Sequence, residues 1–234
     1  WGELTVWSGR NGSGKSTLLN QLILEGMKMH GDRSFIASLE MKPEKLLSWM
    51  VQQAGAAGSE KTIRAAIDAV NAGIYFLNQL GKIDPDLILE VFEFAAKKYG
   101  CKHFILDSLM RVSLGNGDKY EKQEEFVNRL VGFAQKFNVH VHLVAHPRKG
   151  MSDTDRPGKV DIAGAGDITN LAHNVLILYR PTYEEQQKLA EKGVFIGATL
   201  FIRKNREFGD EGQIALNFDQ AKRRFSEIPS LGSV

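Results

Sequence analysis

Short apolar runs alternate along the chain with longer stretches of helical periodicity. Leu4-Thr5-Val6-Trp7 is a β-rich run, and the next segment carries Leu18, Leu19, Leu22 and Ile23 at helical spacing. Residues 34–39 predict a second strand, followed by a helix that opens near Pro43. Asp84-Pro85 joins an N-cap to a proline at the first helical position. It predicts a helix reaching Tyr99 and ended by Gly100. Residues 103–106 form a short apolar run, as a parallel strand buried on both faces requires. A long helix over 119–137 and strands over 140–144, 174–179 and 199–202 follow, and residues 213–218 with 224–225 read as a hairpin. Strands alternating with helices predict an α/β fold: a mostly parallel twisted sheet with helices on both faces and antiparallel additions at the end. Residues 147–161 are polar, contain Gly and Pro and have no period, so they form the one long loop, a length usually tied to function.

Composition adds limits rather than direction. The 234 residues suit one large α/β unit, and 43% apolar with 25% charged residues is ordinary for a globular protein. A net charge of +2 does not announce a nucleic-acid binder, so any basic site must be local. The single Cys101 excludes an internal disulfide framework, reads as a thiol at the edge of the core, and fits a reducing compartment, the cytoplasm before the mitochondrial matrix. No apolar run approaches a membrane span, so no membrane partner is expected. The chain begins at Trp1, one residue before a core strand, and reads as trimmed from a longer polypeptide.

The chemistry enters at Gly9-Arg10-Asn11-Gly12-Ser13-Gly14-Lys15-Ser16, which fits the phosphate-binding pattern G-x-x-x-x-G-K-S/T at every required position. It also lies between a strand and a helix, the context the pattern needs. Gly9, Gly12 and Gly14 let backbone N–H groups curl round a phosphate, and the helix that starts through Thr17 adds its positive dipole end. Lys15 can reach the β- and γ-phosphates, and the Ser16 hydroxyl can ligate Mg²⁺. The chain is therefore expected to bind a nucleoside triphosphate, ATP or a dNTP, with Mg²⁺.

Two strand ends supply carboxylates. Phe104-Ile105-Leu106-Asp107 delivers one at the C-terminal end of a buried strand, where ligands sit in open α/β sheets, and Asp107 would hold Mg²⁺ directly or through water. Glu40 ends residues 35–39 in the same way. A carboxylate there can orient the attacking water or accept its proton; the alternative is a solvent-exposed strand-end Glu.

Together these segments resemble the RecA-like hexameric replicative helicases of the DnaB/Twinkle type, closest to the Twinkle and phage primase–helicase branch. The likeness covers nearly the whole chain. It runs through SGRNGSGKST, SLEM at Glu40, FILDSL at Asp107, Val144-Ala145-His146-Pro147-Arg148-Lys149, and the segment from Ile202 to Asp210. This chain departs from the DnaB branch by His146, where that branch carries Gln, and by Glu207, an extra residue between Arg206 and Phe208.

The resemblance implies further roles. His146 would sense the γ-phosphate; a satisfied strand-end histidine is the plain alternative. Arg206 would be an arginine finger given to a neighbour's nucleotide, with Lys204 approaching the same phosphate; a solvated basic turn is the alternative. Arg180 and Phe218 would sandwich the base, although Phe218 also suits a core. Single-stranded DNA would thread a hexameric or heptameric ring of copies, lined by residues 111–119, by Arg148, Lys149 and Lys159, and by Gly164 and Gly166. These contacts would be blind to sequence and sensitive to salt. A primase domain or protein upstream is the further partner implied. The reading is an NTP-driven helicase motor; the alternative is a RecA-fold DNA-dependent ATPase of recombination or repair, or an assembly switch, without unwinding. A small-molecule kinase is disfavoured, since no lid or acceptor-binding signature appears.

Overall fold

The computed structural model describes residues 1–55, 59–115, 118–147 and 165–229. Among them, nine strands form one sheet: β1 (Glu3–Ser8), β2 (Arg33–Ser38), β3 (Ile74–Phe76), β4 (Cys101–Asp107), β5 (His140–Val144), β6 (Asn174–Tyr179), β7 (Ala198–Asn205), β8 (Gly212–Asp219) and β9 (Arg224–Glu227). Their order is β3-β2-β4-β5-β1-β6-β7-β8-β9. The first six in that order run parallel, and β7, β8 and β9 continue antiparallel. Short apolar runs with no alternation make the central strands because both of their faces are covered.

Successive residues of those strands serve opposite layers. Leu4, Phe35, Phe104, Leu106 and Val141 pack under α4 (Pro85–Tyr99) and α5 (Lys119–Phe137), against Phe92, Phe126, Leu130 and Phe133. Trp7, Ile36, Ile105 and Leu178 face the other way. They pack under α1 (Lys15–His30), α2 (Pro43–Gln53) and α3 (Glu60–Asn71), against Leu19, Ile23, Leu46, Met50 and Val70. The capping signals act as the sequence predicts. Asp84 accepts from the N–H groups of Asp86 and Leu87, and Gly100 closes α4 at φ 65°. Cys101 is buried at the start of β4, and burial pushes its thiol up to about 11, so it is inert.

Five elements add to the predicted set: α3, β3, the 3-10 turn Leu109–Arg111, α6 (Ala165–Leu171) and α7 (Tyr183–Glu191). Residues of α3 carried the signal, with Ser59 as N-cap and Ile63, Ala66, Ile67 and Val70 at helical spacing. β3 has three residues, too few for a period of two to show. Among the described residues, no helix is long and apolar enough to cross a membrane.

Candidate nucleotide site

The parallel register sets one row of strand ends side by side. Ser38 pairs with Asp107, Asp107 with Val144, and Val144 with Trp7. The chain then leaves β1 into residues 9–14, β2 into Glu40 and β5 into His146, so residues distant in sequence meet at one edge. Parallel strands followed by crossovers must do this: every C-terminal end lies on the same side.

Residues 9–14 form a cradle that only glycine allows. Gly9 has φ 138°, and a Cβ there would lie 2.2 Å from the Leu178 carbonyl oxygen. Gly14, at φ 99°, starts α1 without a side-chain cap, which leaves first-turn N–H groups facing the loop. A Cβ on Gly14 would meet the Phe225 ring at 2.9 Å, so β9 supports the loop from below. Gly12 has φ 78° and open space around it. The Ser13 hydroxyl is buried with no hydrogen-bond partner among the described residues. Arg10 carries its guanidinium 5.9 Å from the Tyr179 ring, while Asn11 is exposed and Thr17 is buried under the α1 start.

Lys15 is 6% exposed and its Nζ donates to the carbonyls of Gly9 at 2.6 Å and Arg10 at 2.9 Å. Burial pulls its ammonium down to about 8, against the opposing pull of Asp107 and Glu40. The Ser16 hydroxyl donates to Asp107 Oδ2 at 2.7 Å. Burial raises the Asp107 carboxyl above its usual range, opposed by the Ser16 bond and reinforced by the charge of Glu40. A hydroxyl and a carboxylate in contact, under a positive helix end and a lysine, are hard oxygen donors suited to Mg²⁺. The unpartnered Ser13 hydroxyl and the uncapped helix start suit a phosphate. The residues present therefore fit the nucleotide and its metal.

Glu40 is held from three sides on one oxygen. Oε1 accepts from Ser108 Oγ at 3.0 Å and from Arg111 Nε at 3.4 Å, and His146 Nε2 lies 3.6 Å away. Burial pushes its carboxyl up, but the Ser108 hydroxyl, His146 and Arg111 outweigh burial and hold it below the usual range. It stays ionised at neutral pH, as a residue that orients water must. Ser108 and Arg111 are neighbours of Glu40 that the sequence did not assign to it. Arg111 stood only at the start of a strand-lining segment, and no spacing rule ties residue 40 to residue 111.

The remaining predicted residues lie apart. Phe218 is half-buried with its ring 4.8 Å from that of Phe225, and Arg180 is exposed just after β6. Lys204 Nζ donates to the carbonyls of Thr169 at 2.8 Å and Asn170 at 2.9 Å, and Arg206 Nη2 donates to Asn170 at 2.9 Å. Both thus cap the C-terminal end of α6, where cations suit the helix dipole. This is the far edge of the sheet. Ile177 pairs with both Ser8 and Phe201, so Phe201 is level with the end of β1. Arg206 follows five residues later in the opposite direction, roughly 15 Å away from the phosphate loop at about 3.3 Å per residue. Gly166 lies in α6, while Arg148, Lys149, Lys159 and Gly164 fall outside the described residues.

Comparison with known proteins adds the family. Residues 1–227 match the family described as DnaB-like helicase C terminal domain. Among solved structures, one described as an ATPase domain superposes with a TM-score of 0.79 at 17% identity, over 97% of this chain and 85% of that one. Another, described as a DnaB-like replicative helicase and its interactions with primase, gives a TM-score of 0.79 at 19% identity, over 96% of this chain. The chain spans 57% of that second protein's length.

Proposed function

We propose that this chain, which belongs to the DnaB-like helicase C-terminal domain family, is the NTP-hydrolysing motor domain of a replicative DNA helicase and that each of its nucleotide sites is completed by Arg206 and Lys204 of a neighbouring copy. The observation that carries this is placement. Lys15, Ser16, Asp107, Glu40 and His146 gather at one edge of the sheet, and Lys204 and Arg206 stand at the other. A charge roughly 15 Å or more from its own phosphate loop, on the wrong side of the strands, serves a nucleotide only in another subunit.

The residues then divide the work. Gly9 to Gly14 wrap the phosphates with backbone N–H groups, and Lys15 sets a positive charge against their outer oxygens. Ser16 and Asp107 would hold Mg²⁺, which would supply positive charge to offset that of the phosphate oxygens. Glu40 orients the attacking water and accepts its proton, and His146, 3.6 Å from Glu40, reads the γ-phosphate. Arg180 and the half-buried Phe218 flank the base of ATP or a dNTP. The neighbour's Arg206 leaves the Asn170 carbonyl to reach the transferring phosphoryl group, an interaction worth roughly 10³ to 10⁵ in rate in other nucleotide hydrolases.

DnaB-like helicases act as oligomers on DNA. For this chain we propose a ring of six or seven copies around single-stranded DNA, contacted by Arg148, Lys149 and Lys159 through phosphates and by the backbone at Gly164 and Gly166. A primase is the further partner proposed, because one structural relative is described with its interactions with primase.

Mixing two inactive variants tests the shared site. Lys15→Ala keeps its finger and Arg206→Ala keeps its phosphate loop, so some interfaces of a mixed ring pair a good loop with a good finger. Hydrolysis should recover in part. Mixed rings that form, yet stay as inactive as either variant alone, would exclude a finger given in trans.

A further inference from the structure

The side chain of Arg111 reaches back from the start of the 111–119 stretch to Glu40. Its backbone is fixed. It ends the short 3-10 turn Leu109–Arg111, its N–H donates to the Ser108 carbonyl at 3.0 Å, and its own carbonyl accepts from Ile83 N–H at 3.0 Å. Leu109, two residues before it, is buried at 2% exposure and anchors the turn in the core. The guanidinium, by contrast, stands half in water, at 47% side-chain exposure against 33% for Glu40. Among the described residues only its Nε is engaged, at 3.4 Å from Glu40 Oε1. The bond is long for a charge-assisted pair, so it is readily exchanged.

Resting on the reading of Glu40 as the residue that orients water, we propose that Arg111 is a positioning residue that couples strand binding to hydrolysis. Without DNA it holds Glu40 Oε1 and so restrains the carboxylate. When a DNA phosphate approaches, the guanidinium exchanges the carboxylate for the phosphate, and Glu40 is released to align water.

The chemistry of the groups supports the exchange. A planar guanidinium fork matches carboxylate and phosphate geometry equally well, and a single Nε contact leaves its other N–H groups to receive the phosphate first. The two remaining neighbours of Glu40 do not have this freedom. Ser108 is fully buried, and His146 has a side chain only 15% exposed. They keep Glu40 in place after Arg111 departs. Arg111 also opens the 111–119 stretch that the sequence reading offers to the strand, so one guanidinium belongs to both the Glu40 cluster and that stretch. No covalent step is involved; one hydrogen-bond partner replaces another.

The test compares Arg111→Ala and Arg111→Lys with the unaltered protein, assembled with nucleotide, and measures hydrolysis with and without saturating oligo(dT). Binding of labelled oligo(dT) is measured by anisotropy on the same samples. Loss of a half-exposed restraint should raise the DNA-free rate of Arg111→Ala by about two- to fivefold, the span such pairs allow. The DNA-saturated rate should stay within about twofold and oligo(dT) affinity should fall, so the stimulation ratio collapses from the DNA-free side. Arg111→Lys, which keeps the charge, should lie between. A DNA-free rate that is unchanged or lower overturns the proposal, as does a raised rate with undiminished affinity for oligo(dT). Glu40→Gln run in parallel separates the two levels. If it hydrolyses nucleotide at near the unaltered rate, the reading of Glu40 fails and takes the coupling with it. If it is inactive while Arg111→Ala shows no rise, the coupling alone fails.

Discussion

Lys15 shows how function works against the fold at a single residue. Its ammonium is buried so that it meets a phosphate, and burial depresses it from 10.5 to about 8. A base with a depressed folded value binds fewer protons than the unfolded chain between those two values. Its penalty is therefore complete below about pH 8 and relieved as pH rises from there toward 10.5. The shift corresponds to something on the order of 3 kcal/mol, softened by the bonds to the Gly9 and Arg10 carbonyls. Lys15→Met, which keeps the length and drops the charge, should abolish hydrolysis and raise the melting temperature at pH 7 without nucleotide. The gain should shrink between pH 8 and 10. A Met variant that melts below the parent at every pH would mean that the two carbonyl bonds, not the charge, dominate. Glu40→Gln poses the complementary question at the neighbouring carboxylate. Nucleotide should still bind, and hydrolysis should fall by roughly 10² or more, the usual worth of a positioned base. Binding lost with hydrolysis retained would make Glu40 structural.

At the scale of elements, β4 and β5 hold a histidine ladder that starts two positions before the strand ends of the nucleotide edge. Trp7 Nε1 donates to His142 Nδ1 at 3.2 Å, and because indole N–H only donates, the His142 proton sits on Nε2. That nitrogen lies 3.2 Å from His103 Nδ1, and His103 Nε2 lies 3.6 Å from Asp32. His140 bonds Thr5 Oγ1 at 2.8 Å, with its ring 4.5 Å from that of His142. Burial lowers all three rings, His140 to about 4, and their mutual repulsion as cations adds to it for His140 and His142; Asp32 opposes it at His103 and Glu3 at His140. With folded values depressed, this contribution to stability is present above about pH 6.5 and is lost as pH falls toward 4, because the unfolded chain takes up the protons first. Urea unfolding from pH 7 down to 4.5 should show a steepening loss, with a slope approaching about 1.4 kcal/mol per pH unit for each ring. Stability that stays flat from pH 7 to 5 would show that the ladder titrates as freely in the fold as outside it. His142→Asn should be less acid-sensitive than the parent, whatever its absolute stability.

For the whole molecule, the consequence of the sheet is that its two edges are different objects. One edge gathers the phosphate loop, Asp107, Glu40 and His146. The antiparallel turn into β7 carries Lys204 and Arg206 to the opposite one. A protein built this way should be a poor hydrolase as a lone copy. Hydrolysis per protomer should rise with protein concentration across the range in which copies assemble, and Arg206→Ala should flatten that rise. A rate per protomer that is constant from dilute to assembled protein would refute the shared site. Strand contacts made through phosphates should also weaken steeply between low and physiological salt, without preference for base sequence.

The phosphate loop, the two strand-end carboxylates, the parallel core strands and the capped helix from Pro85 to Tyr99 were legible in the sequence. Each is written in contiguous residues: a glycine spacing, an apolar run that ends in Asp or Glu, an Asp-Pro start and a Gly stop. The family was legible for the same reason, since its motifs are local words in a fixed order; its finer branch rests on sequence alone. The contacts across the sheet were not legible. The bond between Arg111 and Glu40, the support of Gly14 by Phe225, the histidine ladder and the removal of Arg206 to the far edge all depend on strand order. That order is set by which crossovers bury the most apolar surface over the nine strands of the described residues. Local periodicity says which face of a strand is buried, but only the assembled sheet decides which strand lies beside it.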